Sequence, residues 1–373
     1  MTELGPVLQL NGIGKSFDGR HVVESLDLTV GRGEFFTLLG PSGCGKTTTL
    51  RMVAGLERPD AGDIMLRDRV VASARTGRFE PPEKRNLGMV FQSYAIWPHM
   101  SVFENVAYPL QVRGQSRIAI RARVAHVLEL VGLAGLEERP ATTLSGGQQQ
   151  RLALCRALVY EPDLVLLDEP FSNLDAKLRE QMRVELKALQ QRLNVTVLFV
   201  THDQLEALSL SDTIAVMNVG RVEQVGRPRE LYEAPCSPFV RDFLGQNLLL
   251  DGRVREVLPD GWVQIDVSGL SVETGVIGRA APGWLPQSGA SVKLAARPED
   301  AQVTHTGEFA GDGVLHAVTR SALFLGDRYQ VQVELENGAE LMLHAPRTVL
   351  TTWAPDERVR VRLPPEAVMV WPA

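Results

Sequence analysis

The chain of 373 residues is 44% hydrophobic and 23% charged, a globular composition that excludes a disordered or fibrous protein. Its net charge of −6 provides no excess of basic surface, which argues against a nucleic-acid backbone as its partner. The cysteines Cys44, Cys155 and Cys236 are too far apart in sequence for a disulfide framework or a zinc motif, as expected in a reducing compartment.

The first two thirds of the chain alternate strand-like and helix-like patterns. Short apolar or β-branched runs at 35–39, 164–167 and 195–200 are typical of buried central strands. Apolar residues at steps of three and four predict amphipathic helices over 121–133 and 176–193. Together these patterns predict an α/β fold with a largely parallel sheet.

The pattern changes near residue 245. Apolar and polar residues alternate over 329–335, Asn337 and Gly338 give a tight-turn signal, and the alternation resumes at 341–343, which predicts a β-hairpin. A further alternating run covers 358–363. We therefore predict two domains, 1–245 and 246–373, of which the second is all β, a small barrel or sandwich.

A glycine-rich loop follows the predicted strand 35–39 and precedes a helical run over 48–55. It fits the phosphate-binding pattern GxxxxGKS/T, in which backbone N–H groups surround phosphates at a helix N-terminus. Lys46 would reach the β- and γ-phosphates, and the Thr47 hydroxyl would bind Mg²⁺. The predicted nucleotide contacts are Gly40, Pro41, Ser42, Gly43, Cys44, Gly45, Lys46, Thr47 and Thr48.

An acidic pair, Asp168 and Glu169, ends the predicted strand 164–167. Asp168 could hold Mg²⁺ beside the phosphates, and Glu169 could polarise a water molecule toward the γ-phosphate. Acidic residues also end buried strands without a catalytic role. The phosphate-binding loop earlier in the chain favours the catalytic interpretation.

The run Leu144-Ser145-Gly146-Gly147-Gln148 matches the LSGGQ signature of the ATP-binding-cassette (ABC) ATPases, and other marks of that family occur in the family's order. Gln92 resembles the Q-loop glutamine, and Asp175 lies in a segment similar to the D-loop. His202 resembles the switch histidine, and Phe17 resembles the aromatic residue that stacks on adenine. The chain is thus identified as a member of this family, with a P-loop core and a helical subdomain over roughly 93–160.

The resemblance implies a composite site, in which the signature of one subunit closes over the phosphate loop of another in a head-to-tail homodimer. It implies ATP and Mg²⁺ as cofactors, Glu169, His202 and Gln92 as catalytic residues, and Thr47, Gln92 and Asp168 as metal ligands. It also adds Phe17, Ser145, Gly146, Gly147, Gln148 and Asp175 to the nucleotide contacts.

Within the family, the run 88–100 resembles the Q-loop of the ATPase subunits of solute importers, such as those for maltose, polyamines or ferric iron. Segments 239–245 and 296–300 resemble the OB-like regulatory domain of those subunits. The stretch 71–80 is longer than the family's usual connection, and its polar, Gly- and Pro-containing composition predicts a surface loop. The acidic balance of the C-terminal region argues against an oligonucleotide-binding barrel.

An importer ATPase implies further partners. The sequence has no secretory signal and no apolar run long enough to span a bilayer, so two separate permease subunits would provide the membrane spans. We expect residues 94–108 to contact them at the cytoplasmic face of the inner membrane, with a solute-binding protein on the other side. Ferric iron, polyamine, sugar or phosphonate are all compatible solutes. The alternative is a soluble ABC ATPase that acts on nucleic acid or protein complexes.

Overall fold

The computed structural model describes residues 5–270, 275–304, 313–347 and 354–373. The chain divides into two compact units, Met1–Leu231 and Tyr232–Ala373. This division precedes the boundary predicted near residue 245, because Arg241 belongs with the second unit, where its guanidinium lies over the ring of Trp371. None of the helices in the described ranges is long and apolar enough to cross a membrane.

The first unit contains two sheets and the larger helices. Its strands are β1 (Leu8–Phe17), β2 (Arg20–Val30), β3 (Phe35–Leu39), β4 (Ala61–Leu66), β5 (Arg69–Ser73), β6 (Leu87–Val90), β7 (Leu164–Asp168), β8 (Val197–Thr201), β9 (Thr213–Asn218) and β10 (Arg221–Gly226). Its helices are α1 (Lys46–Ala54), α2 (Val102–Val112), α3 (Arg117–Leu130), α4 (Gly146–Leu158), α5 (Ala176–Leu193) and α6 (Gln204–Leu210). Two short helices follow, α7 (Pro228–Glu233) and α8 (Pro238–Phe243).

The central sheet has the strand order β10-β9-β3-β8-β7-β6. All neighbouring strands in it are parallel except the β9–β10 hairpin. Every residue of β3, β7 and β8 is buried, as expected of strands covered on both faces. The predicted α/β fold is confirmed, and the carboxyl ends of β3, β7 and β8 meet at one edge of the sheet.

Helices α2, α3 and α4 share an apolar core of their own, which includes Val106, Leu110, Val124, Leu128 and Leu152. Serine caps begin all three helices, at Ser101, Ser116 and Ser145. These helices lie within the range 93–160 predicted for a helical subdomain.

A second, antiparallel sheet has the order β2-β1-β4-β5 and corrects one prediction. Residues 71–73 form part of β5 and are buried, so the prediction of a surface loop over 71–80 is wrong for its first third. Val71 and Ala72 pack into the core that also holds α1, while residues 74–78 are exposed. Polar residues dominate the composition of 71–80, and this composition hides the strand that Val71 and Ala72 form.

The second unit includes α8, and its described residues from Leu248 onward are built from β-strands, as predicted for 246–373. Its strands are β11 (Leu248–Val257), β12 (Trp262–Val267), β13 (Val276–Ala280), β14 (Ser291–Ala296), β15 (Gln302–Thr304), β16 (Val314–Phe324), β17 (Arg328–Leu335), β18 (Glu340–Pro346), β19 (Arg358–Arg362) and β20 (Met369–Pro372). Five of them close a barrel in the order β11-β12-β13-β20-β14, and the others form the sheet β15-β19-β16-β17-β18. The predicted hairpin is β17–β18, with Gly338 at φ 80° in its turn.

Candidate nucleotide-binding and hydrolysis site

The phosphate-binding loop connects β3 to α1, and its shape requires glycine at two positions. A Cβ at Gly40 would lie 2.3 Å from the Met217 carbonyl oxygen, and a Cβ at Gly45 would lie 2.4 Å from that of Val22. Gly45 precedes α1 with φ 103°, a conformation that L side chains rarely adopt. The first N–H groups of α1, which have no partner within the helix, therefore follow a loop whose shape requires glycine at 40 and 45.

Lys46 lies at the centre of this loop. Its side chain is buried, and Nζ donates to the carbonyl oxygens of Gly40 and Pro41 at 2.8 Å each. Ser42 and Gly43 are exposed at the tip, whereas Thr47 and Thr48 are half-buried in the first turn of α1. The ammonium group is thus already positioned among the backbone groups that would surround a phosphate.

Cys44 is buried in the same loop, with Sγ 3.7 Å from Lys46 Nζ. Burial raises the pKa of its thiol, and the neighbouring Lys46 opposes that shift. Because the reactive form is the thiolate, this environment favours an inert thiol over a reagent-sensitive one.

Thr47 and Asp168 form a pair of hard oxygen ligands where α1 meets the end of β7. The Thr47 hydroxyl donates to Asp168 Oδ1 at 3.3 Å. Burial raises the pKa of Asp168, and the Thr47 hydrogen bond partly offsets this effect. Within the described ranges no three His, Cys, Asp or Glu side chains cluster tightly enough to hold a metal alone. A hydroxyl and one carboxylate fit Mg²⁺ bound jointly with nucleotide phosphates.

Glu169 follows directly and has a left-handed backbone, φ 44°. Its carboxylate oxygen Oε1 lies 3.1 Å from His202 Nδ1, and its backbone N–H donates to the Val200 carbonyl at 3.0 Å. His202 follows β8 and is more than half exposed. Strained non-glycine backbone concentrates at functional sites. A carboxylate and an imidazole therefore face each other at the edge of the sheet.

Gln92 follows β6 and is linked to the segment after Glu169, because Asn173 Nδ2 donates to the Gln92 carbonyl at 2.8 Å. Asp175, two residues further on, accepts from the Leu178 N–H at 2.9 Å and so caps α5. Its side chain therefore has a structural role in addition to the nucleotide contact predicted for it.

The signature residues form the start of α4. Ser145 and Gln148 make a reciprocal capping box, with Gln148 Oε1 accepting from the Ser145 N–H at 3.0 Å. In the described residues, no hydrogen bond or ion pair joins Ser145–Gln148 to the phosphate loop. The structure thus brings Lys46, Thr47, Asp168, Glu169 and His202 to one edge of the sheet, and it places the signature on a separate helix.

Phe17 ends β1 and is 43% exposed, with Lys15 Nζ 5.1 Å from its ring centre. An exposed ring of this kind is available to stack on a flat ligand.

Sequence reasoning missed Glu206, whose buried carboxylate accepts from the Thr201 hydroxyl at 2.5 Å just beneath the His202 turn. Burial raises the pKa of this carboxyl. Asp203 caps α6, and its own N–H donates to the Thr201 hydroxyl at 3.0 Å, so no local spacing pattern indicates the Thr201–Glu206 contact.

Comparisons with known proteins show the family to which the chain belongs. The chain matches the ABC transporter family over residues 23–172 and the TOBE domain family over residues 282–371. It is 47% identical over 338 residues to the spermidine/putrescine import ATP-binding protein PotA of Rubrobacter xylanophilus, covering 90% of this chain and 86% of that protein. It is 45% identical over 342 residues to PotA of Escherichia coli K12, covering 92% of this chain and 87% of that protein.

Among solved structures, the chain is similar to cbiO1 of Clostridium perfringens, part of the ABC transporter complex cbiONQ. The TM-score is 0.56 at 29% identity, covering 61% of this chain and 90% of cbiO1. The family marks in the sequence, the fold of the first unit and these relatives all indicate the same family. The chain therefore belongs to the ATP-binding subunits of ABC importers, and the reaction it catalyses is ATP hydrolysis that drives transport.

Proposed function

We propose that the chain works as a homodimer at the cytoplasmic face of the membrane, where Mg²⁺-dependent ATP hydrolysis drives polyamine import through two separate permease subunits. The observation that carries this proposal is the convergence of Lys46, Thr47, Asp168, Glu169 and His202 at the carboxyl edge of one parallel sheet. The solute class comes from the names of the relatives, which are spermidine/putrescine importers.

Each side chain has a role that follows from its position. Lys46 would exchange its two backbone acceptors for β- and γ-phosphate oxygens. Thr47 and Asp168, with Gln92, would hold Mg²⁺, which neutralises phosphate charge when bound. Glu169 would take a proton from the attacking water, and His202, 3.1 Å away, would orient that carboxylate and contact the γ-phosphate.

A second copy of the chain would complete the site. The N-terminus of α4, with its N–H groups and the Ser145 hydroxyl, would form a second anion-binding site. The phosphate loop precedes α1, whereas the signature begins α4. The N-terminus of α4 would therefore bind the nucleotide of the partner subunit. Two ATP molecules would then be buried between two subunits.

The permease contact would lie on residues 94–108. In this segment the Trp97 and Tyr108 rings pack together at 4.7 Å, and Tyr108 is exposed on α2. The segment begins two residues after Gln92, so a change at the γ-phosphate can move it.

The composite site is tested by mixing two inactive variants, Ser145→Arg and Lys46→Ala. A mixed dimer contains one intact site, built from the Lys46 of one subunit and the Ser145 of the other. With random pairing the mixture should reach about a quarter of the wild-type ATPase rate, since half of the dimers carry one of two sites. A mixture no more active than its components would contradict the homodimeric site.

The solute and the partners are tested by reconstitution into liposomes with candidate permeases and a polyamine-binding protein. Spermidine with its binding protein should stimulate ATP hydrolysis, and iron- or sugar-loaded binding proteins are the controls. Stimulation by DNA or ribosomes without any membrane subunit would instead support a soluble ABC ATPase.

A further inference from the structure

The segment after Gln92 contains two consecutive non-glycine residues with left-handed backbone. Tyr94 has φ 61° and Ala95 has φ 45°, a conformation that costs free energy for L residues. The Tyr94 ring is buried, and its hydroxyl has no hydrogen-bond partner within the described part of the chain. Such a backbone persists only where its surroundings fix it.

Arg156, on α4, provides that constraint. Its Nη2 donates to the Tyr94 carbonyl at 2.7 Å, and its Nη1 donates to the Ala95 carbonyl at 2.5 Å. The guanidinium carbon also lies 4.7 Å from the centre of the Trp97 ring. Arg156 is only 8% exposed. A planar fork holds its two donors at a fixed spacing, so it fixes two successive carbonyls more rigidly than a lysine ammonium on its flexible stem would.

The same segment is attached to two further elements. Asn105, on α2, accepts from the Trp97 N–H at 3.0 Å and donates to the Trp97 carbonyl at 3.2 Å. Asn173, which follows the Glu169 turn, donates to the Gln92 carbonyl. Residues 92–97 are therefore held between α4, α2 and the catalytic edge of the sheet.

We propose that Arg156 is a positioning residue that makes the Tyr94–Trp97 backbone move with α4, and hence with the signature residue Ser145 at the start of that helix. This inference rests on the proposed function, in which Gln92 senses nucleotide and residues 94–108 contact the permeases. Because α4 is one continuous helix from Gly146 to Leu158, a movement of the signature carries the guanidinium with it. The two carbonyls bonded to Arg156 then follow. Without this link, the strained pair relaxes and the permease contact no longer follows the nucleotide site.

The first test uses the isolated subunit and needs no permease. In Arg156→Gln, amide hydrogen exchange of residues 93–97 should rise about tenfold, within the range for residues that carry coupling between sites. Exchange in the phosphate loop should stay unchanged. Arg156→Lys should give an intermediate increase, because an ammonium on a flexible stem keeps the positive charge but lacks the rigid pair of donors that fixes both carbonyls in one geometry. Thermal unfolding of each variant checks that the fold is intact.

A second substitution separates this role from simple helix packing. Ala95→Gly removes the cost of the left-handed backbone, so adding it to Arg156→Gln should recover at least about a third of the lost protection. The matched control is Arg123→Gln on α3, which removes a guanidinium that donates to the Val159 carbonyl at 2.8 Å. That control should leave exchange at 93–97 unchanged.

In the reconstituted transporter, Arg156→Gln should reduce transport per ATP hydrolysed by about tenfold while ATP hydrolysis stays within about twofold of wild type. Ala95→Gly should restore part of that ratio. Unchanged exchange at 93–97, failure of the glycine to rescue, or an equal loss of hydrolysis and transport would overturn the role of Arg156. If the proposed function is wrong, wild-type subunits will drive no transport. The exchange measurement on the isolated subunit needs no transport, so it still tests whether Arg156 fixes residues 93–97.

Discussion

The candidate site of the first unit and the strands of the second unit differ in where their charged groups lie. In Met1–Leu231, Lys46 and Asp168 are buried at the edge of the central sheet, next to the left-handed backbone of Glu169. In Tyr232–Ala373, alternating strands place apolar side chains inside, and charged pairs such as Arg320–Glu334 and Lys293–Asp251 lie at the surface. Both units have apolar cores, and the candidate site differs in combining buried charged side chains with a strained backbone residue.

The sharpest test of this contrast is Glu169→Gln. The substitution keeps the size and position of the side chain but removes the base, so kcat for ATP hydrolysis should fall by about 10²- to 10⁴-fold while ATP binding persists. Steady-state hydrolysis and nucleotide-binding assays measure the two effects. Glu161→Gln, at the exposed opposite end of β7, is the control and should leave kcat unchanged. Normal turnover in Glu169→Gln would refute the assignment of the base.

In the second unit, we expect a core substitution to lower stability without changing activity. Leu343 is fully buried there, so Leu343→Ala should lower the free energy of unfolding of this unit by about 2–5 kcal/mol while ATPase activity stays unchanged. Chemical denaturation and hydrolysis assays test the two halves of this prediction. Leu285→Ala, at a side chain that is 88% exposed, should change stability by less than about 0.5 kcal/mol. A large loss of basal ATPase activity in Leu343→Ala would contradict the prediction that hydrolysis does not depend on the core of the second unit.

The exposed side chain of Val219 is not part of the candidate site, so the strain at this residue should be removable. Val219 has φ 43° and is 77% exposed in the tight turn between β9 and β10, where it precedes Gly220. Asn is far better suited than a β-branched residue to that turn, so Val219→Asn should raise the free energy of unfolding by about 1 kcal/mol without affecting hydrolysis. Val225→Asn, on the regular strand β10, should instead be neutral or destabilising. Thermal unfolding of both variants distinguishes the turn effect from a general effect of Asn.

The smallest effect concerns pH. Burial raises the pKa of Glu206 above its ordinary value of 4.5, so the folded state binds a proton that the unfolded state releases as the pH rises. Wild-type stability should therefore fall as the pH rises through the window above 4.5, and Glu206→Gln should lack this component. The free energy of unfolding of Glu206→Gln relative to wild type should therefore increase with pH. Chemical denaturation at several pH values measures this difference. Glu138→Gln, at an exposed position on the same unit, is the control substitution.

Much of the fold and site was predictable because local patterns carry the information. The strand, glycine loop and helix around Lys46 are adjacent in sequence. A fully apolar run that ends in Asp168 indicates a buried strand whose last residue lies at the edge of the sheet. The hairpin at Asn337-Gly338 follows from turn chemistry alone. Each of these features depends on residues that are close together in the chain.

The features that were missed depend on contacts between distant residues. Arg156 donates to carbonyls of residues 61 and 62 positions away, and no local pattern reveals such a bond. The left-handed Glu169 and Tyr94 arise from tertiary constraint that overrides the preference of those residue types. The β5 strand was missed because its three buried residues precede a polar turn.

The two hydrogen bonds from Lys46 to Gly40 and Pro41 have a thermodynamic consequence for nucleotide binding. A free lysine side chain loses rotamer entropy worth about 1.5–2 kcal/mol when it is fixed. Here that loss occurs during folding, before ATP arrives. In the proposed binding mode, the nucleotide would exchange one set of acceptors for another on an ammonium that is already oriented, so less of the interaction energy would be spent on ordering the site.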